Sequence, residues 1–308
     1  MFKRFLKITN IYHVIAPLIC LALVTPANAT EAVDKVEFPD ILILGDSQIT
    51  FGAGTAYLDF FQNLKKYCAP NPQQSKTLKK LKPGSVGVIG VRSSSLPSWT
   101  ARKGKAKGAV CDVDPKWNVN AGAYGIINKT KKPYVQIGKG KQYQFCKKNL
   151  SPFEALLRPD YYNPDLLILS FLGNSTKQWA QQPKTALKDV QKTIAQLPAD
   201  LPCVFITTAP PYTKKSVDLR LKAQKNLRAA FRKTGNRCSF VDGLNAKTIA
   251  ANLGNKRHFK HKKLGAVKDP FHPNKKGAKK FFSLEKNDIC TAVFTQLASS
   301  VKNSAPSQ

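Results

Sequence analysis

Acidic residues are scarce in this chain of 308: 18 Asp and Glu stand against 50 Lys and Arg, for a formal net charge of +32. So large an excess surrounds the folded protein with a positive field that gathers anions from solution, and a polyanionic partner is expected. Arginine is scarce too. Only nine of the cations are Arg, so bidentate guanidinium forks are few and sequence-specific nucleic-acid recognition is not expected. There are four histidines, and no Cys-x-x-C occurs, which argues against a cysteine-rich zinc site; no metal or cofactor is expected. Gly-x-Ser-x-Gly, a Walker-type phosphate loop and His-Glu-x-x-His are all missing, which argues against ordinary α/β-hydrolases, P-loop enzymes and zinc peptidases. What is present, 42% apolar residues with 20 Pro and 18 Gly, suits a globular chain rather than a coiled coil, a collagen or a disordered segment.

At the N-terminus, Lys3, Arg4 and Lys7 precede an apolar run from Val14 to Val24 that ends at Pro26-Ala27-Asn28-Ala29. The run is about 11 residues against the ~20 of a spanning helix. This is the three-part pattern of a secretory signal, and it predicts a signal peptide over residues 1–29, cleaved after Ala29, with no transmembrane anchor left behind. Cys20 has no small residue before it, so no lipid anchor is expected. Cleavage removes three cations and no acid, leaving +29 on a periplasmic or secreted protein. Export leaves six cysteines, Cys68, Cys111, Cys146, Cys203, Cys238 and Cys290, an even number that suggests up to three disulfides. Of the connectivities open to them, Cys203–Cys238, ahead of two successive predicted strands, and Cys111–Cys146, within one insert, are preferred.

Continuous apolar runs at Ile41–Leu44, Val86–Ile89, Leu166–Ser170, Val204–Thr208 and Phe240–Val241 read as strands buried on both faces. Helical patterns at Ala56–Tyr67, Thr185–Leu197 and Val217–Lys233 lie between them, the last with a basic face. Strands alternating with amphipathic helices predict an α/β architecture with a mostly parallel sheet. Residues from about 92 to 158 break the alternation. Rich in Gly, Lys and Asn, with Trp99, Trp117, Tyr124, Tyr134 and Tyr143, they read as an inserted, partly β subdomain pinned by a disulfide within one domain over residues 30–308. The end of the chain from about Ser299 is expected to fray.

In an open parallel sheet the chemistry sits beyond the carboxyl ends of the strands. There the sequence carries Gly45-Asp46-Ser47-Gln48, then Gly90, then Gly173-Asn174-Ser175, and late in the chain Asp269-Pro270-Phe271-His272-Pro273-Asn274. A serine, small-residue amides, an Asn side chain and an Asp-x-x-His pair are the parts of serine acyl transfer. Serine is a poor nucleophile without an adjacent base. Of the three histidines beyond the signal, His258 and His261 lie in a run of cations that disfavours protonation and reads as a solvated loop; His272 alone follows an acid in an Asp-x-x-His turn.

These blocks resemble the SGNH, or GDSL, hydrolase family. The resemblance implies a three-layer, flavodoxin-like fold in which Ser47 attacks an ester carbonyl, His272 is its base and Asp269 orients His272. It also implies an oxyanion hole made by the backbone amides of Ser47 and Gly90 and the Asn174 side chain. The third block departs from the family pattern, with Leu172 where a Gly is usual and Ser175 where an Asp is usual.

Between Lys256 and Lys280 there are ten cations and one acid, Asp269, and Arg102–Lys107 and Lys129–Lys148 add clusters in the insert. Cations converging on one site point to an anionic substrate. The expected function is an exported, monomeric serine esterase that removes acetyl or other small acyl groups from an anionic polysaccharide or peptidoglycan. Acyl transfer by the same three residues, a non-catalytic glycan-binding role, and salt-sensitive binding to nucleic acid or membrane surfaces are the alternatives.

Overall fold

Short runs of Ile, Leu and Val, too apolar to face water on either side, build the centre of the molecule. The computed structural model describes residues 40–49, 53–81, 86–112, 126–127, 145–158, 163–261 and 267–303. The predicted signal peptide and most of the insert, with Trp117, Tyr124, Tyr134 and Tyr143, lie outside the described residues. Strands β1 (Ile41–Gly45), β2 (Val86–Gly90), β4 (Leu166–Ser170), β5 (Cys203–Ile206) and β6 (Ser239–Val241) pair in parallel, and the two-residue β3 (Ile126–Ile127) runs antiparallel along β2. The sheet order is β3-β2-β1-β4-β5-β6. Taking the parallel strands in chain order gives 2-1-3-4-5, the doubly wound flavodoxin-like order, whose switch point lies between β1 and β4.

Alternation along β1 sorts the core into two layers. Leu42 and Leu44 join one buried cluster and Ile41 and Ile43 the other, as a pleated strand covered on both sides must. The first face is covered by α4 (Leu96–Thr100), α6 (Pro152–Leu156), α7 (Thr176–Gln181), α8 (Pro183–Ile194) and α9 (Lys214–Lys233). The second is covered by α1 (Gly54–Gln62), α2 (Leu64–Cys68), α3 (Pro72–Lys80) and the long C-terminal α11 (Lys275–Asn303). Helices on both faces of a parallel sheet make three layers, as expected. Two short elements, α5 (Gly104–Cys111) and α10 (Ala246–Asn252), and a hairpin of β7 (Phe259–His261) with β8 (Val267–Pro273) complete the described chain.

Three disulfides lock the layers. Cys68–Cys290 ties α2 to α11 across a separation of 222 residues, while Cys111–Cys146 and Cys203–Cys238 are the two preferred pairs. Bridges of this kind each stabilise a fold by about 2–5 kcal/mol and belong to proteins that mature in an oxidising compartment. Among the described residues no helix is long and apolar enough to cross a membrane.

Several expectations change. The helix predicted over Ala56–Tyr67 breaks at Asn63, whose amide bonds the Asp59 carbonyl and carboxylate. The described parts of the 92–158 stretch are mainly helical, and Trp99, Phe145 and Phe153 are fully buried in the main core. Only β3 is strand, and it extends the central sheet. The C-terminal helix runs through Ser299 to Asn303, because Phe281, Ile289, Val293 and Leu297 keep a buried stripe going to its last turns.

Candidate active site

β1 ends at Gly45, and the chain turns at once into a short 3-10 turn, Ser47–Ile49. Gly45 lies so close to its neighbours that a Cβ would meet the Ser170 carbonyl at 2.6 Å and the Ile49 side chain at 2.7 Å. The next residue fixes the turn. Asp46 is buried, and its Oδ1 accepts the Gln48 N–H at 2.8 Å while Oδ2 accepts the N–H groups of Gly173 at 2.7 Å and Leu172 at 3.3 Å. One carboxylate thus joins the loop after β1 to the loop after β4, on either side of the switch point. The fit explains the departure in the third block. Leu172 buries its side chain in the core and contributes only its backbone, whereas a Cβ at Gly173 would meet Asp46 Oδ2 at 2.7 Å.

The β7–β8 hairpin brings in the other two groups. Asp269 Oδ1 accepts the N–H of Phe271 at 3.0 Å and of His272 at 3.1 Å, a local turn that sets the carboxylate beside the ring. Asp269 Oδ2 lies 2.6 Å from His272 Nδ1, and His272 Nε2 lies 2.8 Å from Ser47 Oγ across 225 residues of chain. With Nδ1–H donating to the carboxylate, the Nε2 lone pair accepts from the Ser47 hydroxyl. Burial pushes the Asp269 carboxyl up, but the His272 ring and the N–H groups of Phe271 and His272 outweigh it and hold it below the ordinary carboxylate range. Asn274 locks the hairpin to α11. Its amide donates to the Arg257 and Phe259 carbonyls, and its Oδ1 caps the N–H groups of Lys276 and Gly277.

Beneath these residues lies Arg220, on α9. It is buried at 4% exposure and donates to Gln48 Oε1 and the Ala209 carbonyl, both at 3.2 Å. Burial pushes its guanidinium down to about 10, against the pull of Asp46 and Asp269, so it stays charged at neutral pH. Burial likewise pushes Asp46 up, opposed by the N–H groups of Gln48 and Gly173 and by the Arg220 charge. The sequence put Arg220 in a basic face, since a charge pattern does not reveal which one cation of a helix turns inward.

The structure brings Ser47, Asp269 and His272 together and Asn174 to the same end of the sheet. Asn174 is exposed, and its amide donates to the Ser94 carbonyl at 2.7 Å. Gly90 is different. Val91 N–H bonds the Gly45 carbonyl at 3.2 Å with Gly45 opposite Gly90, and in a parallel ladder this turns the Gly90 N–H toward the far side of β2, away from β1 and Ser47. The expected donor is therefore not at Gly90. Just beyond it, in a turn held by Ser94 Oγ bonding the Val91 carbonyl at 2.8 Å, Ser93 sits exposed in the left-handed region at φ 62°, a conformation uncommon for residues other than glycine. The run Ser93-Ser94-Ser95 directly after a buried strand was the available signal.

His258 also departs from expectation. Its Nδ1 lies 2.7 Å from Asn252 Oδ1, and burial, more than the nearby Lys280, pushes it down, so it is a packed, neutral ring rather than a solvated one. The side chain of His261 lies outside the described set. Among the described residues no group of acids, histidines and cysteines could hold a metal ion. Compared with known proteins, the chain matches no family model and no curated protein.

Proposed function

We propose that the protein is a serine esterase of the SGNH, or GDSL, type, exported through its signal peptide, that removes acetyl or other small acyl groups from an anionic cell-envelope glycan. The observation that carries this reading is the unbroken relay from Ser47 Oγ through His272 to Asp269 at 2.8 and 2.6 Å. In this mechanism Ser47 Oγ attacks the ester carbonyl as its proton passes to His272 Nε2. Asp269, held ionised, stabilises the imidazolium and keeps the ring in the right tautomer. His272 then gives the proton to the departing sugar hydroxyl, leaving an acyl-serine. A water molecule, deprotonated by His272, attacks the acyl carbonyl, and collapse returns the proton to Ser47 and releases the carboxylic acid.

The charge that develops on the carbonyl oxygen calls for donors fixed in advance. The Asn174 amide and the Ser47 N–H are two of them. The Ser93 N–H takes the place foreseen for Gly90: its turn is pinned on both sides, and Asn174 itself grips the next carbonyl. Hydrolysis is favoured over acyl transfer because the side chains of His272 and Asp269 keep 18% and 21% exposure, which leaves the base open to water.

An anionic substrate is favoured by the exposed Lys256, Arg257, Lys275, Lys276, Lys279 and Lys280 that flank the hairpin and open α11. Four of these crowd the N-terminal turns of a helix, where the macrodipole disfavours cations, and none is in an ion pair among the described residues. An incoming anion relieves that repulsion. The test is hydrolysis of a chromogenic acetyl ester by the purified protein and by Ser47→Ala. A loss of about a thousandfold or more in the variant supports the esterase, and equal background rates for both proteins would reject it in favour of a binding role.

A further inference from the structure

Large apolar side chains are almost all inside this protein. Among the described residues two are exposed, Leu253 at 38% and Phe271 at 48%. Phe271 is the more telling, since it stands between Asp269 and His272 in the turn that carries the base. Its backbone has no slack, with its own N–H held by Asp269 Oδ1 at 3.0 Å and the preceding Pro270 carbonyl accepting the Tyr212 N–H at 2.8 Å. Neither bond involves the Phe271 side chain, so the aromatic ring is not what shapes the turn. The segment of Leu253 is tied to this turn through Tyr212, whose carbonyl accepts the Gly254 N–H at 2.9 Å and whose own N–H bonds the Pro270 carbonyl.

A ring half open to water on a fixed backbone forgoes part of the stabilisation that burying a Phe side chain would bring. That gain becomes available when a ligand covers it. The Phe271 Cα is one peptide unit, ~3.8 Å, from the His272 Cα, so the exposed ring is mounted on the same turn as His272. The chain around this turn is rich in exposed cations: Lys275 and Lys276 follow it directly, and the Asn274 amide, bonded to the Arg257 carbonyl, ties Lys256 and Arg257 to the same hairpin. An apolar ring inside a cationic rim suits a ligand with both an apolar C–H face and a negative charge close together. An acidic pyranose, such as a hexuronate, has that combination: the sugar face covers the ring and the carboxylate meets the lysines. A fatty acyl chain would use the ring but not the rim.

We propose that Phe271 is the sugar-stacking subsite of this site, setting its preference for the acidic pyranose that carries the acyl group. This rests on the esterase reading for its catalytic arm and stands on its own for binding. The test uses partially O-acetylated polygalacturonate as probe, with Phe271→Ala, Phe271→Leu and Phe271→Trp made in the Ser47→Ala protein for binding and in the intact protein for kinetics. Phe271→Ala and Phe271→Leu should each weaken binding by about tenfold, and Phe271→Trp should change it by less than about twofold. In the intact protein Phe271→Ala should raise KM on the polymer with kcat nearly unchanged, and leave hydrolysis of a small neutral acetyl ester as it was. Wild-type binding by Phe271→Leu would show that any apolar group suffices and overturn the sugar platform. Unaltered binding by Phe271→Ala, or an equal loss on the small ester, would overturn it too, the latter by assigning the ring a role in holding the turn. Absence of Ser47-dependent hydrolysis with the binding differences intact would defeat the esterase and spare the subsite.

Discussion

At the residue scale, single buried carboxylates and amides do most of the positioning. Asp46 gathers three N–H groups from two loops, and Asp269 gathers two from its own turn before it reaches His272. If the proposed function is right and Asn174 holds the developing oxyanion, Asn174→Ala should lower kcat on an acetyl ester by about 10²–10³. Ser93→Gly keeps the N–H and relieves the positive φ, so it should leave kcat within a few-fold while raising thermal stability. A large loss of activity in Ser93→Gly would show that its hydroxyl, not its amide, matters. The motif residues Ser47, Asp269 and His272 were legible in the sequence because Asp-x-x-His is a local turn whose geometry its own side chain sets. Gly90 was misplaced for the opposite reason. A glycine at the end of an apolar run says nothing about which way its amide points, and only the ladder with β1 decides that.

At the element scale, the strands were legible because burial on both faces leaves them no polar positions, and β1, β2 and β4 begin and end within a residue or so of the apolar runs. The helices were less so. α11 went unpredicted although Ala278, Phe281, Phe282, Glu285, Ile289, Val293 and Leu297 recur at helical spacing and are buried, since four lysines and a buried glutamate interrupt the apolar stripe. That glutamate is itself informative. Glu285 is 1% exposed, its Oε1 accepts the Asn245 amide at 2.6 Å, and its Oε2 has no hydrogen-bond partner among the described residues. Burial first, then the nearby Asp288 and Asp242, pushes its carboxyl up. A carboxyl raised by folding contributes stability that is full below its unfolded value and is lost as pH rises through the folded one. Glu285→Gln removes that dependence, so the stability of the variant relative to wild type should increase from about pH 4 to pH 8. Denaturant midpoints measured across that range would show it, and a difference that does not vary with pH would contradict it.

At the scale of the whole molecule, charge and architecture divide the work. The doubly wound sheet puts Ser47 and Asn174 on the two loops flanking the switch point, while the β7–β8 hairpin and the lysine-rich start of α11 supply the base and the positive surround. The positive balance and the cation run from Lys256 to Lys280 were plain in the sequence; what was not is the hairpin that folds this run back to the loop after β1. If the field recruits the substrate, kcat/KM on a polyanionic glycan ester should fall as salt rises toward 0.5 M, with ~3 Å screening approached at 1 M, while a neutral ester should barely respond. The same salt response for both would remove the lysines from substrate capture.

The central claim, that His272 and Asp269 make the Ser47 hydroxyl a nucleophile, is tested most directly by covalent capture with a fluorophosphonate, read by peptide mass spectrometry. One adduct is expected, on the peptide that carries Ser47, formed quickly in the wild-type protein and lost in His272→Ala. An adduct elsewhere, or labelling of Ser47 at the same rate without His272, would contradict it.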